Sequence, residues 1–350
     1  MTELALEIVS SDRLSRVAQI GVDRPLRTPT YFPAVSGASM SARPIDLIKL
    51  VVDTRYPRVL VSAYDLHKLE GKQRTWAAQG LSRFRAAGGF VFLDCGVFES
   101  YWLRDDRWDF RHYERIVRAF ERDFYASFDG VGRVSTTRAL SIGFEPPAIR
   151  RSIRLAEDSL CALIAHAATP QRLVKAVTAL AKHATAARRS VTRRSSLMVA
   201  VAERECGTSV VERAGTIAAI RVSLERVARP ALLHILGCGY PTSMAAYASA
   251  GADTFDSRDW CEVAIDWRTF STVDFSLLGP TGCPCKVCSK FRIDNLQKGL
   301  LHNLLFYQTF ALRIQRMVQE GTLDDFLLEV LGERTIRQLK AATGKVHHSE

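Results

Sequence analysis

Two groups of side chains in this sequence have the types and spacing to do chemistry. The first is Cys283, Cys285 and Cys288, spaced C-x-C-x2-C and followed by His302. Three thiolates and one imidazole make a closed tetrahedral zinc set, structural rather than catalytic, because a catalytic zinc keeps a position open for water. The other five cysteines (Cys95, Cys161, Cys206, Cys238 and Cys261) are scattered singly, so the crowding of three reads as metal ligation and not as a disulfide framework. The second group stands at the ends of short apolar runs: Asp94, Asp129, His166, Glu203 and Asp256, with Gly237 closing a sixth run. Helix capping accounts for one or two such residues, whereas five in equivalent places point to a shared pocket.

The elements that must hold these residues follow from the runs themselves. Strands are predicted at Thr30–Val35, Arg58–Ala63, Phe90–Asp94, Phe124–Asp129, Cys161–His166, Leu197–Glu203, Ala231–Gly237 and Thr254–Asp256, with helices such as His112–Arg122, Gln171–Ala187 and Val210–Val227 between them. Eight strands starting roughly 25 to 35 residues apart give the period of a βα unit. The expected fold is therefore α/β, a (β/α)8 TIM barrel, which places its chemistry at the C-terminal mouth of the strands.

After the eighth unit the character changes to a turn-rich, cysteine-dense knot and a long amphipathic helix. The expected division is a barrel over residues 1–276 and an appended zinc-binding helical subdomain over 277–350, with a last helical stretch at Leu323–Ala342. The basic, small-residue stretch Lys182–Ser196 is expected to be a mobile loop.

Composition narrows the partners. A hydrophobic fraction of 47% and a charged fraction of 24% exclude a disordered or fibrous chain. No run is long and apolar enough to span a membrane and the first residues are acidic, so a cytoplasmic protein is expected. An excess of 48 Lys and Arg over 37 Asp and Glu gives a net charge of +11, which suits either a solvated basic surface or a polyanion-binding face. Lys286, Lys290, Arg292 and Lys298 lie around the cysteine knot with Asp294 alone to oppose them, a reasonable place for phosphate contacts.

The pairing of FLDCGVFES (Phe92–Ser100) with TFDSRDW (Thr254–Trp260), together with LGCGYP (Leu236–Pro241), TPTYFPAVSGAS (Thr28–Ser39) and CPCKVC followed by LLHNLLFY (Cys283–Tyr307), resembles the tRNA-guanine transglycosylase superfamily. That resemblance implies a zinc-bearing barrel enzyme that exchanges guanine in nucleic acid for a 7-deazaguanine base such as preQ0. It implies that Asp256 is the nucleophile, that Asp94, in the place of the family's D-S-G-G-F-Q aspartate, is general acid and base, and that Asp129 reads the guanine edge. His166 would stand where a base-reading Gln is usual and Glu203 near the 7-substituent, with Gly237 at the base; Phe98 and Tyr240 are candidates to stack on it. Cys283, Cys285, Cys288 and His302 match the zinc ligands.

The departures fall on recognition. Leu197 and Met198 replace paired glycines, His166 replaces Gln, and the gap from Cys288 to His302 is short. These look more like the DpdA-type branch, which inserts 7-deazaguanines into DNA and would work with accessory proteins. The alternatives are queuosine-type exchange in a tRNA anticodon, or a non-catalytic nucleic-acid-binding subunit.

Overall fold

The computed structural model describes residues 6–12, 14–21, 24–37, 42–128, 143–156, 159–189, 196–228, 230–278, 282–290 and 293–344. Asp129 and Arg292 lie outside the described residues. Three strands precede the barrel and are not among the predicted runs: β1 (Leu6–Asp12), β2 (Ser15–Ile20) and β3 (Leu26–Arg27), paired antiparallel. Then come β4 (Thr30–Val35), β5 (Arg58–Ser62), β6 (Phe90–Asp94), β7 (Phe124–Ala126), β8 (Leu160–Ala165), β9 (Leu197–Ala202), β10 (Ala231–Leu236) and β11 (Thr254–Ser257). These eight close into a parallel barrel in the order β10-β11-β4-β5-β6-β7-β8-β9. The predicted TIM barrel is present, with strand ends within a residue or so of expectation except at β7.

Near-continuous runs of Val, Ile, Leu and Phe make these strands because a parallel sheet wrapped by helices buries both of its faces. Inside the barrel, Phe32 meets Phe92 and Phe124 edge-on, with ring centres 5.7 and 5.9 Å away. The ring of His234, on β10, lies 5.1 Å from that of Phe92. The interior is thus a packed core and not a pore.

Arg16 on β2 ties the opening strands to the N-terminal rim of the barrel. It makes two hydrogen bonds to the carboxylate of Asp253, at 2.8 and 2.9 Å, just before β11 begins. Arg221, from the helix Val210–Val227, bonds the same carboxylate at 2.5 Å.

The basic stretch Lys182–Ser196 is not a loop throughout. The helix Pro170–Arg189 runs well into it, because Ala and Lys between residues 179 and 187 are strong helix formers. Beyond the barrel, β12 (Ala264–Ile265) and β13 (Thr272–Val273) form a small hairpin. The helix Asn295–Glu320 packs on β1, β2, β4 and β12, and a helical stretch Leu323–Gly344, kinked at Gly332, follows it. Among the described residues no helix is long and apolar enough to cross a membrane.

Candidate active site

Asp256 sits on β11, the strand that closes the barrel, and is 8% exposed. Its Oδ1 lies 3.1 Å from Nε2 of His234 and accepts the backbone N–H of Gly237 at 3.3 Å. The Nδ1 of His234 is 2.8 Å from the hydroxyl of Thr254. One carboxylate oxygen is thereby pinned from the neighbouring strand. Gly237 is glycine because φ is +77° there, a left-handed turn that lets the chain leave β10 with its N–H facing Asp256.

Asp94 ends β6 at the same mouth, and its Oδ2 accepts the backbone N–H of Gly96 at 3.0 Å. Gly96 has φ of +73°, and a Cβ there would meet the backbone nitrogen of Tyr64 at 2.6 Å. That close approach seats the turn after β6 against the residues following β5. Two further carboxylates come with it. Asp65 accepts the N–H of Gly37 at 2.5 Å, and burial followed by repulsion from Asp94 pushes its carboxyl up to about 7. Glu99 is buried, and desolvation together with the charges of Asp94 and Asp65 pushes its carboxyl up to about 8. Its Oε2 and the hydroxyl of Ser62, the residue in register with Asp94, are buried without a hydrogen-bond partner among the described residues. Orphaned polar atoms of this kind are costly unless a ligand or solvent meets them.

On the far side of the mouth, Nδ1 of His166 lies 2.6 Å from Oε1 of Glu205, whose other oxygen accepts the N–H of Ala167 at 2.9 Å. Glu203 takes a 2.8 Å bond from Arg213 and another, also 2.8 Å, from the hydroxyl of Tyr247. It does not cap the next helix; Ser209 does, with Glu212 reaching back to the N–H of Thr208. Phe98 is 41% exposed at the rim, beneath the guanidinium of Arg258, and Tyr240 is 50% exposed.

The metal set comes together as the spacing requires. The thiol sulfurs of Cys283, Cys285 and Cys288 lie 3.6, 3.4 and 3.3 Å from Nδ1 of His302, and all four donor atoms fall within 4.8 Å of one another. A tetrahedral zinc with ordinary Zn–S and Zn–N bonds has S···N edges of about 3.5 Å, so the four donors fit that ion. Nε2 of His302 is 2.7 Å from the carbonyl of Ile265, which leaves Nδ1 free to ligate. The next residue, Asn303, bonds the carbonyls of Trp260 and Val263 and accepts the N–H of Ile265. Tyr307, one helical turn on, stacks on Tyr31 at 3.8 Å and donates to the carbonyl of Gly239 at 2.8 Å. The helix that carries the metal ligand thus also fixes the loops after β10 and β11, on either side of Asp256. Around the knot Lys286 and Lys290 are exposed and Lys298 is half-buried, while Asp294 is engaged in capping the helix.

Compared with known proteins, the family model described as Queuine tRNA-ribosyltransferase (TGT) matches residues 11–335. The chain belongs to this family. Among curated relatives, the tRNA-guanine(15) transglycosylase of Methanosarcina acetivorans is 36% identical over 112 residues, or 29% of this chain and 22% of that protein. The enzyme of the same name from Methanosarcina mazei is 33% identical over 112 residues, with the same shares. That of Aeropyrum pernix is 27% identical over 109 residues, or 28% and 21%. The matched part therefore spans about a fifth of the length of these relatives.

Within the queuine tRNA-ribosyltransferase family frame, four mouth residues escaped the sequence reading: His234, Asp65, Glu99 and Glu205. His234 carried a signal, a lone polar residue inside the apolar run of β10. Glu99 carried one too, since it stands where the family motif has Gln. Asp65 and Glu205 follow their strands in short helical turns, where a carboxylate looks like any solvated first-turn residue until the barrel closes around it.

Proposed function

We propose that this chain is a guanine transglycosylase that exchanges a guanine in nucleic acid for a 7-deazaguanine base. The observation that carries this reading is the seating of Asp256: a nearly buried carboxylate on the closing strand, with one oxygen held by His234 and Gly237 and the other left to react.

Asp256 attacks the anomeric carbon as guanine leaves, giving a glycosyl ester, and the incoming base displaces the ester from the same face. Two displacements retain the configuration. Asp94 gives a proton to the departing guanine and accepts one from the incoming base. The carboxyls of Asp65 and Glu99, both raised by burial and by the carboxylates beside them, place groups that exchange protons near neutrality next to Asp94. His166, oriented by Glu205, reads the base from β8, with Gly237, Glu203 and Phe98 around it. Asp129 accepts from the guanine N1–H and exocyclic amine in this reading. Zinc held by Cys283, Cys285, Cys288 and His302 is structural, a cation that draws the knot together. Lys286, Lys290, Arg292 and Lys298 contact phosphates.

The names of the curated relatives favour tRNA as the nucleic acid. The departures at His166, Leu197 and Met198 favour DNA, and cytoplasmic action suits either. The test is incubation of the purified protein with labelled guanine or preQ0 and either duplex DNA or tRNA. Label should enter one of the two, and a denaturation-resistant protein–nucleic acid adduct should vanish in Asp256→Ala. An adduct that survives the substitution removes Asp256 from its role, and label in tRNA alone removes the DNA reading.

A further inference from the structure

The short helix Val97–Trp102 turns a buried face and an exposed face to opposite sides of the mouth. Glu99 and Ser100 point inward, while Tyr101 and Trp102 are each 62% exposed and Leu103, just after them, is 54% exposed. Together with Phe98 these side chains form a continuous aromatic step: Phe98 and Trp102 have ring centres 6.1 Å apart, and Tyr101 and Trp102 are 5.8 Å apart and nearly perpendicular. Nothing in the barrel core requires large rings here, since the turn is already seated by Gly96 on Tyr64 and by the indole N–H of Trp108 on the carbonyl of Cys95.

Around the step Lys68, Arg104, Arg107 and Arg258 stand against Asp105, Asp106 and Glu262, a small basic excess. Arg104 and Arg107 are exposed on the turn that follows, Arg107 with its guanidinium 3.3 Å from Asp105, and Arg258, two residues beyond Asp256, lies over Phe98 at 5.8 Å with one nitrogen 3.1 Å from Glu262. One guanidinium nitrogen of Arg258 is buried without an acceptor among the described residues. The half-buried Asp105 is shared between Lys68 at 2.7 Å and Arg107 at 3.3 Å, and the exposed Asp106 stands between Arg104 and Arg107 in the chain. Rings that offer π-faces, bordered by arginines, suit an unpaired nucleic-acid strand, whose bases stack whatever their sequence and whose phosphates meet the cations.

We propose that Tyr101 and Trp102 form a stacking platform for unpaired nucleotides flanking the target base, with Arg104, Arg107 and Arg258 on their phosphates. The inference rests on the nucleic-acid reading above and sharpens it: the substrate is gripped as an opened strand and not as an intact duplex. Opening the strand supplies the unstacked base that a pocket at the bottom of the mouth needs.

The test uses the full-length protein carrying Asp256→Ala, so that binding is read apart from exchange. The probe is a single-stranded deoxyoligonucleotide with one central guanine, compared with its duplex, with an RNA of the same sequence and with a folded tRNA transcript. Tryptophan fluorescence should be quenched by the unpaired strands, and the quench should shrink when Trp102→Phe is added. Tyr101→Ala and Trp102→Ala should each weaken binding of the unpaired strand about 5- to 100-fold, while Leu328→Ala, an exposed apolar residue on the helical stretch Leu323–Gly344, serves as the control. Equal binding of duplex and single strand, unchanged affinity in both variants, or a loss of self-association in Trp102→Ala each overturns the platform. Failure of the wild-type protein to exchange guanine while the quench persists would instead overturn the transglycosylase reading and leave the platform standing.

Discussion

At the N-terminal rim of the barrel Asp253 is fully buried between two arginines, Arg16 and Arg221, and Asp123 is buried against Arg24 and Arg85. At the C-terminal rim Asp65 and Glu99 are buried just as deeply, but the charge each one feels is another carboxylate. For Asp253, burial opposes ionisation and the guanidiniums outweigh it, so its carboxyl sits below the usual range. For Asp65 and Glu99, burial and repulsion act together and the carboxyls rise. One rim pairs its buried acids with arginines, and the other sets two of its buried acids beside further carboxylates, where they hold their protons. That division is what a barrel enzyme needs, because conserving geometry and doing chemistry make opposite demands on an acid.

The contrast can be broken experimentally, and the largest effect is expected at the cysteine knot, where the mouth does have a cation if zinc binds. Cys285→Ser should abolish stoichiometric zinc and lower stability by about 5 kcal/mol or more, given what structural zinc contributes elsewhere. Metal analysis and urea unfolding with and without chelator check this, and a variant as stable as the parent removes the metal from the account. Next in size, Asp253→Ala leaves Arg16 and Arg221 buried without their acid and should cost about 3–5 kcal/mol. A loss below about 1 kcal/mol would mean that the lower rim is not held by its ion pairs.

The smallest effect has the opposite sign and sharpens the comparison most. Because Glu99 holds its proton up to about 8 in the folded protein and releases it near 4.5 when unfolded, its contribution falls as pH rises between those values. Asp65 behaves alike up to about 7, from an unfolded value of 3.8. Asp253 works the other way, stabilising above the unfolded carboxylate range and losing that stability as the solution is acidified. Glu99→Gln should therefore raise the melting temperature at pH 8 by a few degrees and flatten the decline from pH 5 to 8, with little change at pH 4. A variant that melts lower at every pH would show that Glu99 is structural and ionised.

Much of this was readable from the chain because barrel strands advertise themselves. Runs such as Phe90–Asp94 and Thr30–Val35 are apolar on both faces, and the acid at a strand's end falls at the mouth by construction. The knot was readable for the same kind of reason, since the fit of Cys283, Cys285, Cys288 and His302 depends on local spacing. The opening strands β1 to β3 were missed because Leu6–Asp12 alternates polar and apolar residues weakly, and it gains its partners only on pairing with β2 and packing against the helix Asn295–Glu320.

The sequence by itself determined the number and order of the eight barrel strands, the metal-ligand set and many of the residues that stand at the mouth, all of which follow from local periodicity and spacing. Only the tertiary structure decided which of those residues meet. It brought His234 to Asp256 across 22 residues of chain, set Asp65, from the unit that β5 begins, beside Asp94 and Glu99, from the unit that β6 begins, and set the metal-bearing helix against the loops around Asp256. The physical reason is that a carboxyl's proton affinity depends on burial and on the charges beside it, and both are fixed only when the barrel closes.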